Sequence, residues 1–246
     1  VRLGDTHEEK MASLQDSITD LQNAMPGLRG LQTDFNSSNL HIGKILIVAE
    51  QINFGYTSSS LWQFPMDIQV RSGDRIHISG NNGSGKTTLV KLLLGELEPT
   101  AGTIMRTGFS YLYIDQECSV IDPRLTVFEQ TERFNTGNWA EHELKSILNR
   151  YLFPYDTWDK GCACLSGGEK IRLLFCCLMI GNNAPDVFIL DEPTNNLDIQ
   201  SVEIITAAIK SYRGTVLLIS HDHYFVKEIK INRSIKLFDT GSVIKI

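Results

Sequence analysis

The chain has 246 residues, a formal net charge of −6, 42% hydrophobic and 21% charged content. That length holds one sizeable α/β domain plus an appendage, and the composition is that of a soluble globular protein. The acidic balance argues against a nucleic-acid backbone as a partner bound directly by charge. The longest apolar run, Leu173–Ile180, falls far short of the roughly 20 residues that cross a membrane, so no direct membrane insertion is expected. Val1-Arg2-Leu3-Gly4 carries no secretory pattern, and the absence of an initial methionine points to a piece of a longer chain. Cys118, Cys162, Cys164, Cys176 and Cys177 form no paired metal pattern; a reduced, packing role is expected.

Met11, Leu14, Ile18, Leu21 and Met25 recur at helical spacing until Pro26-Gly27. This segment is either a helix packed on the domain or a link to a missing neighbour. After a polar connector, Lys44–Ala49, Asp67–Val70 and Arg75–Ser79 read as Ile- and Val-rich strands. Thr87–Leu94 reads as a helix ended by Gly95, Tyr111–Ile114 as a strand, and Ala140–Tyr151 as an amphipathic helix. Two wholly apolar strands, Val187–Leu190 and Val216–Ile219, each precede a helix, Ile199–Tyr212 and His223–Ile229. Such alternation predicts a buried, largely parallel sheet.

Gly80-Asn81-Asn82-Gly83-Ser84-Gly85-Lys86-Thr87-Thr88 satisfies G-x-x-x-x-G-K-[ST] between a predicted strand and a predicted helix. Glycines there let successive backbone N–H groups point at phosphate oxygens, and the helix adds its positive dipole end. Lys86 then reaches the β- and γ-phosphates, and the Thr87 hydroxyl holds Mg²⁺. The expected ligand is Mg·ATP. A glycine-rich turn ahead of a helix is the structural alternative for a lone match.

Val187–Leu190 ends in Asp191-Glu192. Carboxylates at the C-terminal end of a buried parallel strand stand at the ligand edge of the sheet, where Asp191 orients Mg²⁺ through water and Glu192 polarises the attacking water. Leu165-Ser166-Gly167-Gly168-Glu169 precedes the helical run Lys170–Ile180. Ser166 and Glu169 have capping-box spacing, while the glycines expose N–H groups suited to an anion.

The string LSGGE upstream of the two carboxylates resembles the signature of ATP-binding-cassette (ABC) ATPases. The resemblance covers about residues 44–246. It implies an α/β P-loop NTPase of the ABC nucleotide-binding type, with a mostly parallel core sheet, an antiparallel β subdomain and a small helical subdomain. It further implies that Gln116 senses Mg²⁺ and the γ-phosphate, that His221 contacts the γ-phosphate, and that Tyr56 stacks on adenine, although Phe54 is close by. Pro193–Asp198 resembles the D-loop. In this family ATP lies between the phosphate loop of one cassette and the signature of another, so Ser166, Gly167 and Gly168 would serve the partner's nucleotide. The second cassette would come from the same full-length chain or from a head-to-tail dimer. Alone, the chain is expected to bind ATP and hydrolyse it poorly.

D-E-P-T-N-N-L-D, S-H-D-H-Y-F, Y-I-D-Q-E and LSGGE-K-I-R resemble the ABC-F group, soluble tandem-cassette proteins of which many act on ribosomes. His223 stands where Arg is commoner. On that resemblance, residues 1–40 are the end of the interdomain linker and 41–246 the second cassette of a cytoplasmic ATPase with the ribosome as partner, in translation or in protecting ribosomes from antibiotics. The alternative is the ATPase subunit of an ABC membrane transporter. A non-hydrolysing switch is disfavoured by Glu192 and His221.

Overall fold

Every other residue of the strand β6, Val187–Asp191, faces a different hydrophobic core. Val187 and Ile189 pack into one cluster, Phe188 and Leu190 into the other. That is the period-two alternation of a strand covered on both faces. The computed structural model describes residues 40–56, 59–115, 117–181, 184–237 and 243–245. The helix expected over Met11–Met25 lies outside the described residues, as does Gln116.

Nine strands and six α-helices are described. The strands are β1 (Ile45–Asn53), β2 (Met66–Arg71), β3 (Arg75–Gly80), β4 (Ala101–Arg106), β5 (Tyr111–Ile114), β6, β7 (Thr215–Ile219), β8 (Arg233–Leu237) and β9 (Val243–Lys245). The helices are α1 (Lys86–Leu94), α2 (Val127–Arg133), α3 (Glu141–Arg150), α4 (Gly167–Gly181), α5 (Ile199–Ser211) and α6 (His223–Glu228). One sheet has the order β5-β6-β7-β3-β8-β9, parallel except where β9 pairs with β8. The other is antiparallel, in the order β2-β1-β4. Both sheets and the helical portion between β5 and α4 accord with the expected architecture.

One core gathers Ile114, Phe188, Leu190, Val216 and Leu218 against α4 and α5. Cys162, Cys176, Cys177 and Tyr151 lie in the same core, so the central sheet and the helical portion share one apolar layer. The second core sets Ile76, Ile78, Ile189 and Ile219 against α1 and the antiparallel sheet. Burial pushes the Cys118 thiol up to about 12, and that of Cys162 up to about 11, with nearby carboxylates adding to each. These thiols act as small apolar groups.

Arg75 closes the end of the sheet opposite the phosphate loop. Its guanidinium donates to the carbonyls of Ile229 at 2.6 Å and Ile209 at 3.0 Å, and to that of Tyr212. Burial lowers its pKa from the ordinary guanidinium value.

β4, α2, β8 and β9 are elements that the pattern of the chain did not predict. β4 (AGTIMR) has no apolar alternation, and exists because β1 pairs with it residue for residue from Ile47↔Arg106 to Glu50↔Thr103. Gly102 sits where that register shifts, at φ 79, and a Cβ there would lie 2.3 Å from the Glu50 carbonyl oxygen. α2 is started by a complete capping box, Thr126 with Glu129.

Candidate nucleotide site

The loop 80–85 leaves the C-terminal end of β3, beside β7 and one strand from β6. Gly80, Gly83 and Gly85 have φ values of 152, 84 and 90, which L-residues with a Cβ rarely adopt. Close approach adds a second reason at two of them. A Cβ on Gly80 would lie 2.4 Å from the Leu237 carbonyl oxygen, and one on Gly85 2.6 Å from Leu61. The fully buried Trp62 supports the loop from beneath, donating Nε1–H to the Ser84 carbonyl at 3.1 Å. Neither Leu61 nor Trp62 carries a sequence signal, since they belong to no motif.

A cavity of about 640 Å³ opens over the loop. Tyr56, Asn82, Gly83, Gly85, Lys86, Thr87, Thr88, Asp191 and Glu192 line it, so these expected residues come together in space. Gly80 and Asn81 stand behind, their carbonyls accepting from Lys86 Nζ at 2.7 and 3.1 Å. Ser84 is buried and its Oγ has no hydrogen-bond partner, an orphaned polar group aimed within the loop. Tyr56 is 70% exposed, its ring edge-on to Phe54 with centroids 4.8 Å apart and its hydroxyl 2.9 Å from Thr88 Oγ1. An exposed aromatic face at the rim suits a flat base.

On the metal side, Thr87 Oγ1 donates to Asp191 Oδ2 at 3.3 Å. An all-oxygen pair of this kind fits Mg²⁺, which prefers oxygen ligands and keeps much of its water. Among the described residues no group of three or more His, Cys, Asp or Glu could hold a metal ion. A cation seated here would take its other ligands from phosphate oxygens and water. The charge of the wall says the same: Asp115, Glu117, Asp191 and Glu192 line the cavity with a single lysine, Lys86. A bare triphosphate would meet net repulsion from these side chains, most of which a divalent cation offsets.

Glu192 occupies the αL region at φ 51, strained for a residue with a side chain. Its N–H donates to the Ile219 carbonyl at 2.8 Å, pinning the end of β6 to the end of β7. The Glu192 carboxylate is nearly buried and lies 3.5 Å from His221 Nε2, while its other oxygen accepts from the His221 N–H at 3.3 Å. The general-base candidate and the histidine are thus tied to each other, with Glu192 lining the cavity and His221, exposed, standing outside its lining.

Ser166, Gly167 and Gly168 are elsewhere. They begin α4 and are not among the residues lining the cavity. The expected capping box is present: the Ser166 N–H donates to Glu169 Oε2 at 2.7 Å and the Glu169 N–H to Ser166 Oγ at 3.2 Å. Lys160 closes the group with an ion pair to Glu169 at 2.9 Å. The two glycines differ. Around Gly167 the nearest group to an added Cβ is Leu197 at 3.9 Å, whereas at Gly168 it would meet Ser201 Oγ at 2.6 Å and Asp198 Oδ2 at 2.8 Å. Gly168 is therefore a packing requirement set by the start of α5.

A family model described as ABC transporter matches residues 64–195, the stretch that holds the phosphate loop, the signature and the two carboxylates. The chain belongs to the ABC transporter family. As a member it is an ABC ATPase domain. It is 38% identical over 200 residues to ABC transporter F family member 5 of Arabidopsis thaliana, covering 80% of this chain and 28% of the relative. With the ATP-binding protein Uup of Escherichia coli (strain K12) the identity is 37%, covering 75% of this chain and 29% of the relative. The chain thus spans less than a third of the length of either relative. Among solved structures it resembles cbiO1 of Clostridium perfringens, part of the ABC transporter complex cbiONQ, with TM-score 0.62 and 23% identity over 82% of this chain and 87% of that one. A bacterial Atm1-family ABC exporter with ATP bound gives TM-score 0.63 and 20% identity, over 85% of this chain and 40% of that one. These two likenesses concern the fold.

Proposed function

We propose that this chain is the second cassette of a cytoplasmic tandem-cassette ABC-F ATPase that binds and hydrolyses Mg·ATP and acts on the ribosome. Residues 1–40 form the end of the linker and 41–246 the cassette. The observation that supports the chemistry is the convergence of Lys86, the Thr87–Asp191 pair and Glu192 on one cavity, with His221 paired to Glu192. The names of the relatives, with their F-family membership, support the subfamily.

Each residue has a role set by its place. The backbone N–H groups of the loop and Lys86 bind the phosphates, and Tyr56 offers a face to the adenine. Thr87 and Asp191 would hold Mg²⁺, with Gln116 assigned to the same cation by its motif alone. Bound there, Mg²⁺ neutralises the charge that develops on the phosphate oxygens. Glu192 orients and takes a proton from the attacking water, and His221, tethered to it, faces the γ-phosphate. Ser166, Gly167 and Gly168 do not line this cavity, and in this reading they serve the nucleotide of a second cassette. Two composite sites would result, and the single cassette would turn over slowly.

The test is co-sedimentation of the full-length Glu192→Gln protein with ribosomes. Enrichment with ATP over the nucleotide-free protein is expected. No enrichment overturns the ribosomal role, and co-purification with membrane-spanning subunits instead would favour the transporter reading. Among the described residues no helix is long and apolar enough to cross a membrane.

A further inference from the structure

One residue to which the motif Y-I-D-Q-E gave no role, its leading tyrosine, reaches the carboxylate of Asp191. Tyr113 lies on β5, opposite Ile189 of β6 in a parallel register. Side chains two apart on a strand share a face, so Asp191 follows Ile189 on that face, and the phenol of Tyr113 spans the step. Its hydroxyl donates to Asp191 Oδ2 at 2.6 Å, a short charge-assisted bond. Thr87 Oγ1 donates to the same oxygen at 3.3 Å. Both donors engage Oδ2, and neither engages Oδ1.

The ring of Tyr113 packs against the core shared by α1 and the antiparallel sheet, which restricts where its hydroxyl can lie. A phenol ordinarily carries its proton at neutral pH, so the hydroxyl serves as the donor in this bond.

We propose that Tyr113 is a positioning residue for the divalent cation that accompanies the nucleotide. By holding Oδ2 it locks the Asp191 rotamer and leaves Oδ1 to meet the hydration shell of the cation, so no rotamer freedom is lost when the metal arrives. The inference rests on the Mg·ATP reading of the cavity. Partners that orient a metal-binding carboxylate typically change metal affinity or activity by about 10- to 100-fold when removed; with water between Asp191 and the cation, the lower end is expected.

The experiment titrates Mg²⁺ against binding of a fluorescent ATP analogue to the 246-residue chain, alongside Mn²⁺ bound in the presence of nucleotide, read by electron paramagnetic resonance. Tyr113→Phe keeps the ring and removes the donor. It should require about tenfold more Mg²⁺ for half-saturation, with metal-free nucleotide binding and the melting temperature essentially unchanged. Tyr111→Phe, which removes a hydroxyl bonded to Glu96 at 3.3 Å on the same strand, should titrate like the parent. In an Asp191→Asn background the effect of Tyr113→Phe should vanish. A Tyr113→Phe chain with the parent's Mg²⁺ dependence overturns the proposal, and so does an equal loss with and without metal, the mark of a packing role. A parent chain that binds no nucleotide at any Mg²⁺ concentration overturns the Mg·ATP reading and this inference with it.

Discussion

Thr87 and Asp191 stand 104 residues apart in the chain, yet the Thr87 hydroxyl donates to Asp191 Oδ2 at 3.3 Å. The contact joins the first turn of α1 to the last residue of β6, across β7 and β3. With Asp115, Glu117 and Glu192 on the same wall, it supports the proposed reading of the cavity as a site for a cation–nucleotide pair. Nucleotide affinity measured by calorimetry should therefore fall on the order of tenfold or more when EDTA replaces Mg²⁺, a difference of about 1.4 kcal/mol or more. Equal affinity in both conditions would count against the assignment.

Glu192 is the nearly buried partner of an exposed histidine, His221. Glu192→Gln keeps size and one acceptor oxygen but cannot accept a proton from water. In the full-length protein, hydrolysis should drop by about 10²- to 10⁴-fold while nucleotide binding persists. Turnover equal to the parent's would refute the role of Glu192.

The two glycines of the signature should separate function from packing. Gly168→Ala forces a Cβ against Ser201 and Asp198, an overpacking that costs about 1–3 kcal/mol and lowers the melting temperature by roughly 2–4 °C per kcal/mol. Gly167→Ala meets only Leu197, at an ordinary contact distance of 3.9 Å, and should melt like the parent, yet slow ATP turnover where this face closes on a second cassette. Thermal melts and turnover assays of both variants would decide the matter.

Acid should loosen the junction between α4 and α5. Burial works to raise the carboxyl pKa values of Glu169 and Asp198, but it is outweighed. Glu169 is lowered by the Ser166 N–H and by Lys160, and Asp198 by Ser201 and Arg172. A carboxyl whose folded pKa is depressed stabilises the fold above its unfolded pKa, about 4, and loses that contribution as pH falls through the lower folded value. The melting temperature should fall between about pH 5 and pH 2, and a Glu169→Gln, Asp198→Asn double variant should show a flatter slope there. An unchanged slope would place the acid sensitivity elsewhere.

How much was legible in the sequence follows from how local each signal is. Gly80–Thr88 and Asp191-Glu192 were readable because phosphate and metal chemistry fix residue types at short spacing, and the strand and helix around them obey short-range periodicity. The Ser166–Glu169 capping box was readable for the same reason, since its bonds span one helical turn. β4 was not, because its pairing partner lies about fifty residues upstream and its own residues are mostly exposed.

The residues that support the site were equally hidden. Trp62 under the loop belongs to no motif, and although Tyr113, Asp115 and Glu117 all stand in Y-I-D-Q-E, only the strand order β5-β6-β7-β3 sets Tyr113 on Asp191 and the two carboxylates beside the phosphate loop. Sequence alone determined the glycine-rich loop and the helix behind it, because a backbone turn and its helix are built from contiguous residues. Which carboxylate Thr87 meets, what holds it still, and that Ser166–Gly168 do not line this cavity were decided by tertiary structure. Those relations depend on sheet order and packing, which no run of neighbouring residues encodes.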